Sequence, residues 1–327
     1  MKKITKILIS ILLVLSCILF LLYDAFFIEP KNIRIRKETL SSEKIPLSMD
    51  SIKIAFFSDL DIGSYTSSSQ LEKVVDRINS SSADIVLFGG NLFSSSTTVD
   101  EDTQNTISQL LQQIKAPLGK FAVYGELDHA SDELLSQVNM ILNSSGFEVL
   151  ENRSISLRNK TSDCISLVGI DNLINGTVDI DTAYSNVPRD NYVITLCNTP
   201  DTADRVPTDL TDYFLAGHSL GGQVYYLFSS SYSPSGAESH LRGKEKIDNS
   251  FTLDITSGVG CMNGESRLFS PSEVVIYTLN STKEVPTPTS ETEENSTTET
   301  AAPEETSVPE TADPIETSAP EDTTQSE

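Results

Sequence analysis

Residues 213–224 read YFLAGHSLGGQV, and two different chemistries can be built on them. In one, Gly217-His218-Ser219-Leu220-Gly221 is a G-x-S-x-G nucleophile elbow, a sharp strand-to-helix turn that exposes a serine beside N–H groups able to hold an oxyanion. In the other, apolar Tyr213 to Ala216 is a buried strand that ends at a metal-binding turn of the form Gly-His-x-His-Gly-Gly, with Leu220 where the second histidine would stand. The elbow needs a helix after Ser219, then an acid and a histidine in that order. After Gly222 the chain reads QVYYLFSSSYSPSG, a poor helix, and the only later histidine is His240, with Glu238 the one acid between. A Ser219 hydrolase is thus the weaker reading. The fold turns on whether the rest of the chain supplies strands that end in metal-type loops.

Upstream, apolar residues 51–58 (SIKIAFFS) predict a buried strand that runs into Asp59-Leu60-Asp61-Ile62-Gly63. Leu71, Val74, Val75 and Ile78 then recur at helical spacing over 70–78. Residues 84–88 predict a second strand leading to Gly89-Gly90-Asn91, with a helix marked by Ile107, Leu110, Leu111 and Ile114. A third strand, 120–124, runs into Gly125-Glu126-Leu127-Asp128-His129, followed by a helix with Leu134, Leu135, Val138, Ile141 and Leu142 on one side. Three strand–loop–helix units predict an α/β sheet with its site at the carboxyl ends of the strands. After Phe147, strand-like runs at 154–157, 164–170, 191–196, 213–216, 251–255 and 273–279 have fewer helices between them and predict a second sheet packed on the first. Gly90, Gly125, Gly221 and Gly222 are expected where the backbone takes positive φ, and His129 is expected at the surface.

The two ends differ from this middle. Lys2, Lys3 and Lys6 precede an uncharged run over 7–23, long enough for an apolar span at its lower limit and without a small-residue cleavage site after it. Residues 1–29 are therefore expected to be cytoplasmic lysines and an uncleaved transmembrane anchor, with the bulk of the chain extracytoplasmic. Residues 30–283 form the globular domain. From 284 to 327 there is no Lys or Arg, and Thr, Glu, Ser and Pro dominate; this composition cannot bury enough apolar surface to order itself and predicts a disordered acidic tail. That tail carries 13 acidic residues of a formal net charge of −24, so the acidity belongs mainly to it. The balance excludes nucleic acid as a partner, since phosphate binding needs a basic surface. Cys164, Cys197 and Cys261 have no C-x-x-C spacing and signal neither a disulfide framework nor a zinc knuckle.

In order, KIAFFSDLDIG, DIVLFGGNLF, FAVYGELDH, ITLCNTPD, YFLAGHSLGGQV and SGVGCMNGESRLFSPSEVVIYTL resemble the successive blocks of the calcineurin-like metallophosphoesterases, specifically their bacterial membrane-anchored subgroup. The resemblance runs from about residue 52 to 279. It implies an α/β fold of the four-layer αββα sandwich type behind one N-terminal transmembrane helix, with the loops gathered at one edge. It also implies a two-metal hydrolytic centre, whose ligand positions this chain has largely changed. The family's Asp-x-His is Asp59-x-Asp61; the aspartate that bridges both metals is Asn91; the asparagine ligand is Glu126; the proton-transferring histidine is Leu127. A further histidine is replaced at Asn198, and Gly-His-x-His keeps only His218.

Leucine transfers no proton and a neutral amide is a poor bridge between dications. The expectation is a degenerate site on a non-catalytic binding or scaffold module. Its partners would be the membrane, through the helix, and an unidentified envelope ligand. A second reading is a weak phosphoester hydrolase with a single divalent ion. Asp59, Asp61, Asn91, Glu126, Asn198 and His218 form an oxygen-rich set that suits Mg²⁺, Mn²⁺ or Ca²⁺, and a two-metal centre is not expected.

Overall fold

A computed structural model describes residues 2–95, 97–226 and 229–284. The expected acidic tail, from 285 on, lies outside the described residues. Helix α1 (Lys2–Tyr23) passes into a π-helical turn, Asp24–Ile28, and a 3-10 turn, Glu29–Lys31. Together, Lys3–Lys31 are long and apolar enough to cross a membrane.

The domain beyond this helix is built on two six-stranded sheets. Strands β1 (Arg34–Ser42), β2 (Lys53–Phe57), β3 (Ile85–Phe88), β4 (Lys120–Ala122) and β5 (Phe147–Val149) belong to the first, as does β14 (Glu273–Ser281). Their order is β1-β14-β2-β3-β4-β5. Strands β2 to β5 are parallel, β14 is antiparallel to β2, and β1 is parallel to β14. Helices α2 (Ser68–Ser81), α3 (Glu101–Gln112) and α4 (Asp132–Ser144) are the connections between the parallel strands. Asp100 caps α3 by accepting the Thr103 N–H, and Ser131 caps α4 by accepting that of Leu134.

The second sheet uses β6 (Arg153–Arg158), β7 (Cys164–Gly169), β8 (Val193–Leu196) and β9 (Tyr213–Ala216), with β12 (Gly243–Ile247) and β13 (Phe251–Ile255). Its order is β12-β13-β9-β8-β7-β6. A small hairpin, β10 (Tyr225–Tyr226) with β11 (Ser229–Ser230), stands apart, and α5 (Ile180–Tyr184) lies between β7 and β8 in the chain.

Period-two alternation divides the apolar residues among three layers. Along β2, Ala55 and Phe57 join Leu71, Val74, Ile107 and Leu142 under the helices. Ile54 and Phe56 face the other way, into a core shared with Leu167, Ile194 and Leu215 of the second sheet. The outer face of that sheet puts Val168, Phe214 and Ala216 against Ala183, Tyr184, Ala203 and Val206. Because both faces of β2, β3, β8 and β9 are covered, these strands read as continuous apolar runs. The four-layer α/β arrangement is present, with a thin outer layer on the second sheet.

Three expectations need correction. The run at 273–279 does not enter the second sheet; as β14 it returns to the first, between β1 and β2. Gly125 is not among the positive-φ glycines; it is small because a Cβ there would lie 2.1 Å from Asn91 Oδ1. His129 is not a surface residue. Its Nε2 meets Asp171 Oδ1 at 2.7 Å, and its side chain is only 10% exposed.

Phe56 is fully buried between the sheets, so Phe56→Ala should cost about 3–5 kcal/mol. Met140, on α4, is exposed, and Met140→Ala should shift stability by no more than about 0.5 kcal/mol. Chemical denaturation of the full chain in detergent micelles measures both.

Candidate functional site

The loops after β2, β3, β4, β8 and β9 meet at the carboxyl edge of the two sheets and bring together all six residues singled out from the sequence. Asp59 is at the centre, with no exposed surface. Its Oδ1 accepts the amide of Asn91 at 2.9 Å and that of Asn198 at 3.2 Å, and its Oδ2 accepts the His218 backbone N–H at 2.7 Å. Each amide is oriented by its other contacts. Asn91 Oδ1 accepts the Leu127 N–H, while Asn198 Nδ2 also donates to the Gly89 carbonyl and its Oδ1 accepts from Asn172.

Four of the six, Asp59, Asp61, Asn91 and His218, have positive φ, as does Leu220. Such conformations cost non-glycine residues about 1 kcal/mol or more each and collect where a site aims side chains at a common point. Below them, Asp128 accepts three backbone N–H groups, from Asn91, Leu92 and Gly125. One buried carboxylate thereby clamps the second loop to the third.

Around this network lie donor atoms without partners. Asp61 Oδ1 and His218 Nδ1 are buried and make no hydrogen bond. His218 Nε2 contacts the Ser235 carbonyl at 2.8 Å, and a carbonyl only accepts, so Nε2 carries a proton. Glu126 Oε2 lies 3.8 Å from the same Nε2. Burial, then the charge of Asp59, raises the Asp61 carboxyl well above its ordinary range, with the Arg267 guanidinium opposing. Burial also raises Asp59, against the pull of His218 and the amide of Asn198.

This donor set does not fit two bridged metals. Lone pairs of Asp59 that would face cations face N–H groups, and Asn91 turns its NH₂ toward the carboxylate rather than an oxygen toward an ion. Among the described residues no three His, Cys, Asp or Glu side chains are grouped to hold a metal. Two buried atoms there, Asp61 Oδ1 and His218 Nδ1, make no hydrogen bond and are the ones a single hard cation could use.

The Ser219 elbow is not formed. Ser219 has φ −79°, while the positive φ falls on His218 and Leu220. Its side chain is fully buried, and its Oγ accepts the Gly221 N–H at 3.2 Å. His240 is committed elsewhere, with Nδ1 on Glu245 at 2.6 Å and Nε2 on Asp204 at 3.0 Å.

Sequence reasoning missed Asn172, Arg267 and Tyr232. Arg267, fully buried, donates to the carbonyls of Gly260, Ser257 and Ser270. Burial, then the charges of Asp61, Asp59 and Glu126, pushes the Tyr232 phenol up, which places that side chain beside the site. Arg267 lies in the last of the six quoted blocks but at no ligand position, and Asn172 and Tyr232 lie in loop segments with no spaced motif.

The two sheets, with their polar loops at one edge, form a layered α/β sandwich. The chain shares 26% identity over 259 residues with the uncharacterized metallophosphoesterase YkuE of Bacillus subtilis, covering 79% of this chain and 89% of that protein. An uncharacterized metallophosphoesterase of Aquifex aeolicus is 27% identical over 260 residues, 77% of this chain and 94% of the relative. A transmembrane protein with metallophosphoesterase domain from Danio rerio is 24% identical over 248 residues, 72% of this chain and 55% of the relative. The chain is thus a homologue of proteins named metallophosphoesterases over most of its length. No family model matches it. Among solved structures, TT1561 of Thermus thermophilus superposes with a TM-score of 0.42 at 12% identity, over 64% of this chain and 90% of that one.

Asp128→Ala strands three buried N–H donors and should cost about 3–5 kcal/mol in denaturant unfolding. A pH effect comes from His129. Burial alone would depress its imidazole, but the bond to Asp171 and that carboxylate's charge outweigh burial and raise it. The pairing therefore stabilises the fold fully below the ordinary value of 6.5 and is lost as pH climbs through the raised one. Thermal unfolding of His129→Gln should lose its pH dependence in that window.

Proposed function

We propose that the chain is a membrane-anchored, extracytoplasmic phosphoesterase-type protein that binds or scaffolds a partner at the envelope without two-metal catalysis. The observation that carries this reading is the engagement of both Asp59 oxygens by the amides of Asn91 and Asn198 and the backbone of His218. Leu127 supports it, because the position from which a family histidine would transfer a proton holds an aliphatic side chain. Anchoring is supported by the apolar helix at the N-terminus. An outward domain is supported by lysines ahead of the apolar run and acids, Asp24 and Glu29, after it. In this reading residues 30–283 are the working domain and 284–327 a solvated spacer.

A second reading is favoured by the unpartnered Asp61 Oδ1 and His218 Nδ1. These atoms, with Glu126, would hold one Mg²⁺, Mn²⁺ or Ca²⁺. Such an ion would supply charge neutralisation to a bound phosphoryl group. Asp61 and Glu126 would supply its oxygen ligands and His218 its nitrogen.

Calorimetry of the full chain in micelles with Mn²⁺, Mg²⁺, Ca²⁺ and Zn²⁺, alongside hydrolysis of a generic aryl phosphodiester, separates the two. The first reading expects no turnover with any cation. Metal-dependent turnover abolished by Asp61→Asn and by Glu126→Gln would overturn it and establish the second. Asn91→Asp, which replaces an amide donor by a carboxylate, should tighten cation binding roughly tenfold or more, about 1.4 kcal/mol.

A further inference from the structure

The strand directions fix where the anchor enters the domain. Strands β2, β3 and β4 run parallel and end at the site edge. Because β14 is antiparallel to β2, with Val275 opposite Phe56 and Thr278 opposite Lys53, its first residue lies at that same edge. Strand β1 is parallel to β14 and starts beside it, Arg34 opposite Glu273. The segment just before Arg34, which is the end of the anchor, is therefore at the edge that carries Asp59, Asn91 and His218.

Hydrogen bonds hold it there. Arg267 N–H donates to the Ala25 carbonyl at 2.8 Å, Gln70 Nε2 to that of Pro30 at 2.6 Å, and Lys73 Nζ to that of Lys31 at 3.0 Å. Lys31 also pairs with Glu265 at 3.1 Å. The segment carrying Glu265 and Arg267 is bound to the histidine turn through Gln223. The amide of that residue donates to Gly264 and Ser266 carbonyls and accepts from Met262. Two layers of hydrogen bonds thus separate the anchor from the site.

The surface chemistry of this edge matches its position. Beyond the anchor, five large apolar side chains are exposed among the described residues, and three of them, Tyr65 and Phe269 in loops and Tyr226 on β10, are at this edge. Cations accompany them. Tyr65 shares a cleft with Lys31 and Lys73. Arg242 stacks on Tyr225 at 4.1 Å and donates to the Phe269 carbonyl at 2.9 Å. Phe26 and Phe27, at the end of the anchor, are exposed as well. Aromatic rings beside Lys and Arg are the combination that partitions into the headgroup region of a bilayer.

We propose that the site edge is seated on the membrane, with Tyr65, Tyr226 and Phe269 in the bilayer interface and Lys31, Lys73 and Arg242 at anionic headgroups. This rests on the reading of Lys3–Lys31 as a membrane anchor, and the test separates the two. The chain contains no tryptophan, so single replacements report position. Full-length Phe269→Trp and Tyr226→Trp proteins are placed in nanodiscs of phosphatidylcholine with phosphatidylglycerol, carrying nitroxide at the headgroup or deep in the acyl chains. Leu12→Trp reports the anchor, and Met140→Trp the outer face of α4.

The expected result is loss of Phe269→Trp and Tyr226→Trp emission to headgroup nitroxide, with a blue shift, while Met140→Trp is unaffected and Leu12→Trp is quenched by the deep label. Quenching of Leu12→Trp alone would overturn the seated edge and leave the anchor standing. Equal quenching of Met140→Trp would overturn the orientation. If Leu12→Trp is not quenched either, the anchor and the seating fall together.

Discussion

A carboxylate with no exposed surface must have its charge answered locally, and Asp59 sets that demand at the centre of this molecule. An uncompensated buried charge costs several kcal/mol, whereas a hydrogen bond to a charged group returns about 1.5–3 kcal/mol. The amides of Asn91 and Asn198 and the His218 N–H meet the demand, and they come from the loops after β3, β8 and β9. Three loops from two sheets are thus tied to one side chain. Cations could tie them in the same way. Here neutral donors do, so the convergence of the loops does not depend on an ion.

The same loops are shaped by how closely they approach one another. His218 and Leu220 hold left-handed conformations that neither residue favours. Gly217 leaves room for Asp59, since a Cβ there would lie 2.3 Å from its Oδ2. Gly125 leaves room in turn for Asn91 Oδ1. These are requirements of close approach between loops rather than of any one ligand atom.

Much of this was legible in the sequence because covered parallel strands are apolar throughout, as in KIAFF and YFLA, and because helices such as α2 bury Leu71, Val74, Val75 and Ile78 at a helical period. The six candidate residues were legible through the order of the loops. Strand β1 was not. It lies at the sheet edge, reads RIRKETLSS, and only Leu40 is fully buried. The position of β14 was equally hidden, since a strand's pattern records that both faces are covered but not which neighbour it pairs with. Tyr232 and Asn172 reach the site from loops whose course follows from long-range packing, and no local spacing encodes that.

The placement of β1 and β14 depends on a second polar cluster, away from Asp59. Asp254 of β13, in the second sheet, accepts two bonds from the Arg36 guanidinium of β1. It also accepts the hydroxyls of Tyr213 on β9 and Tyr277 on β14. Arg36 reaches Glu273 and Glu38 as well. Apolar contact between the sheets is non-directional and would tolerate several offsets. A buried aspartate that needs one guanidinium and two phenols does not, because sliding either sheet by a residue would strand its charge. Since β1 begins just after the long apolar N-terminal helix, the cluster that locks the sheets also sets the edge at which that helix joins the domain.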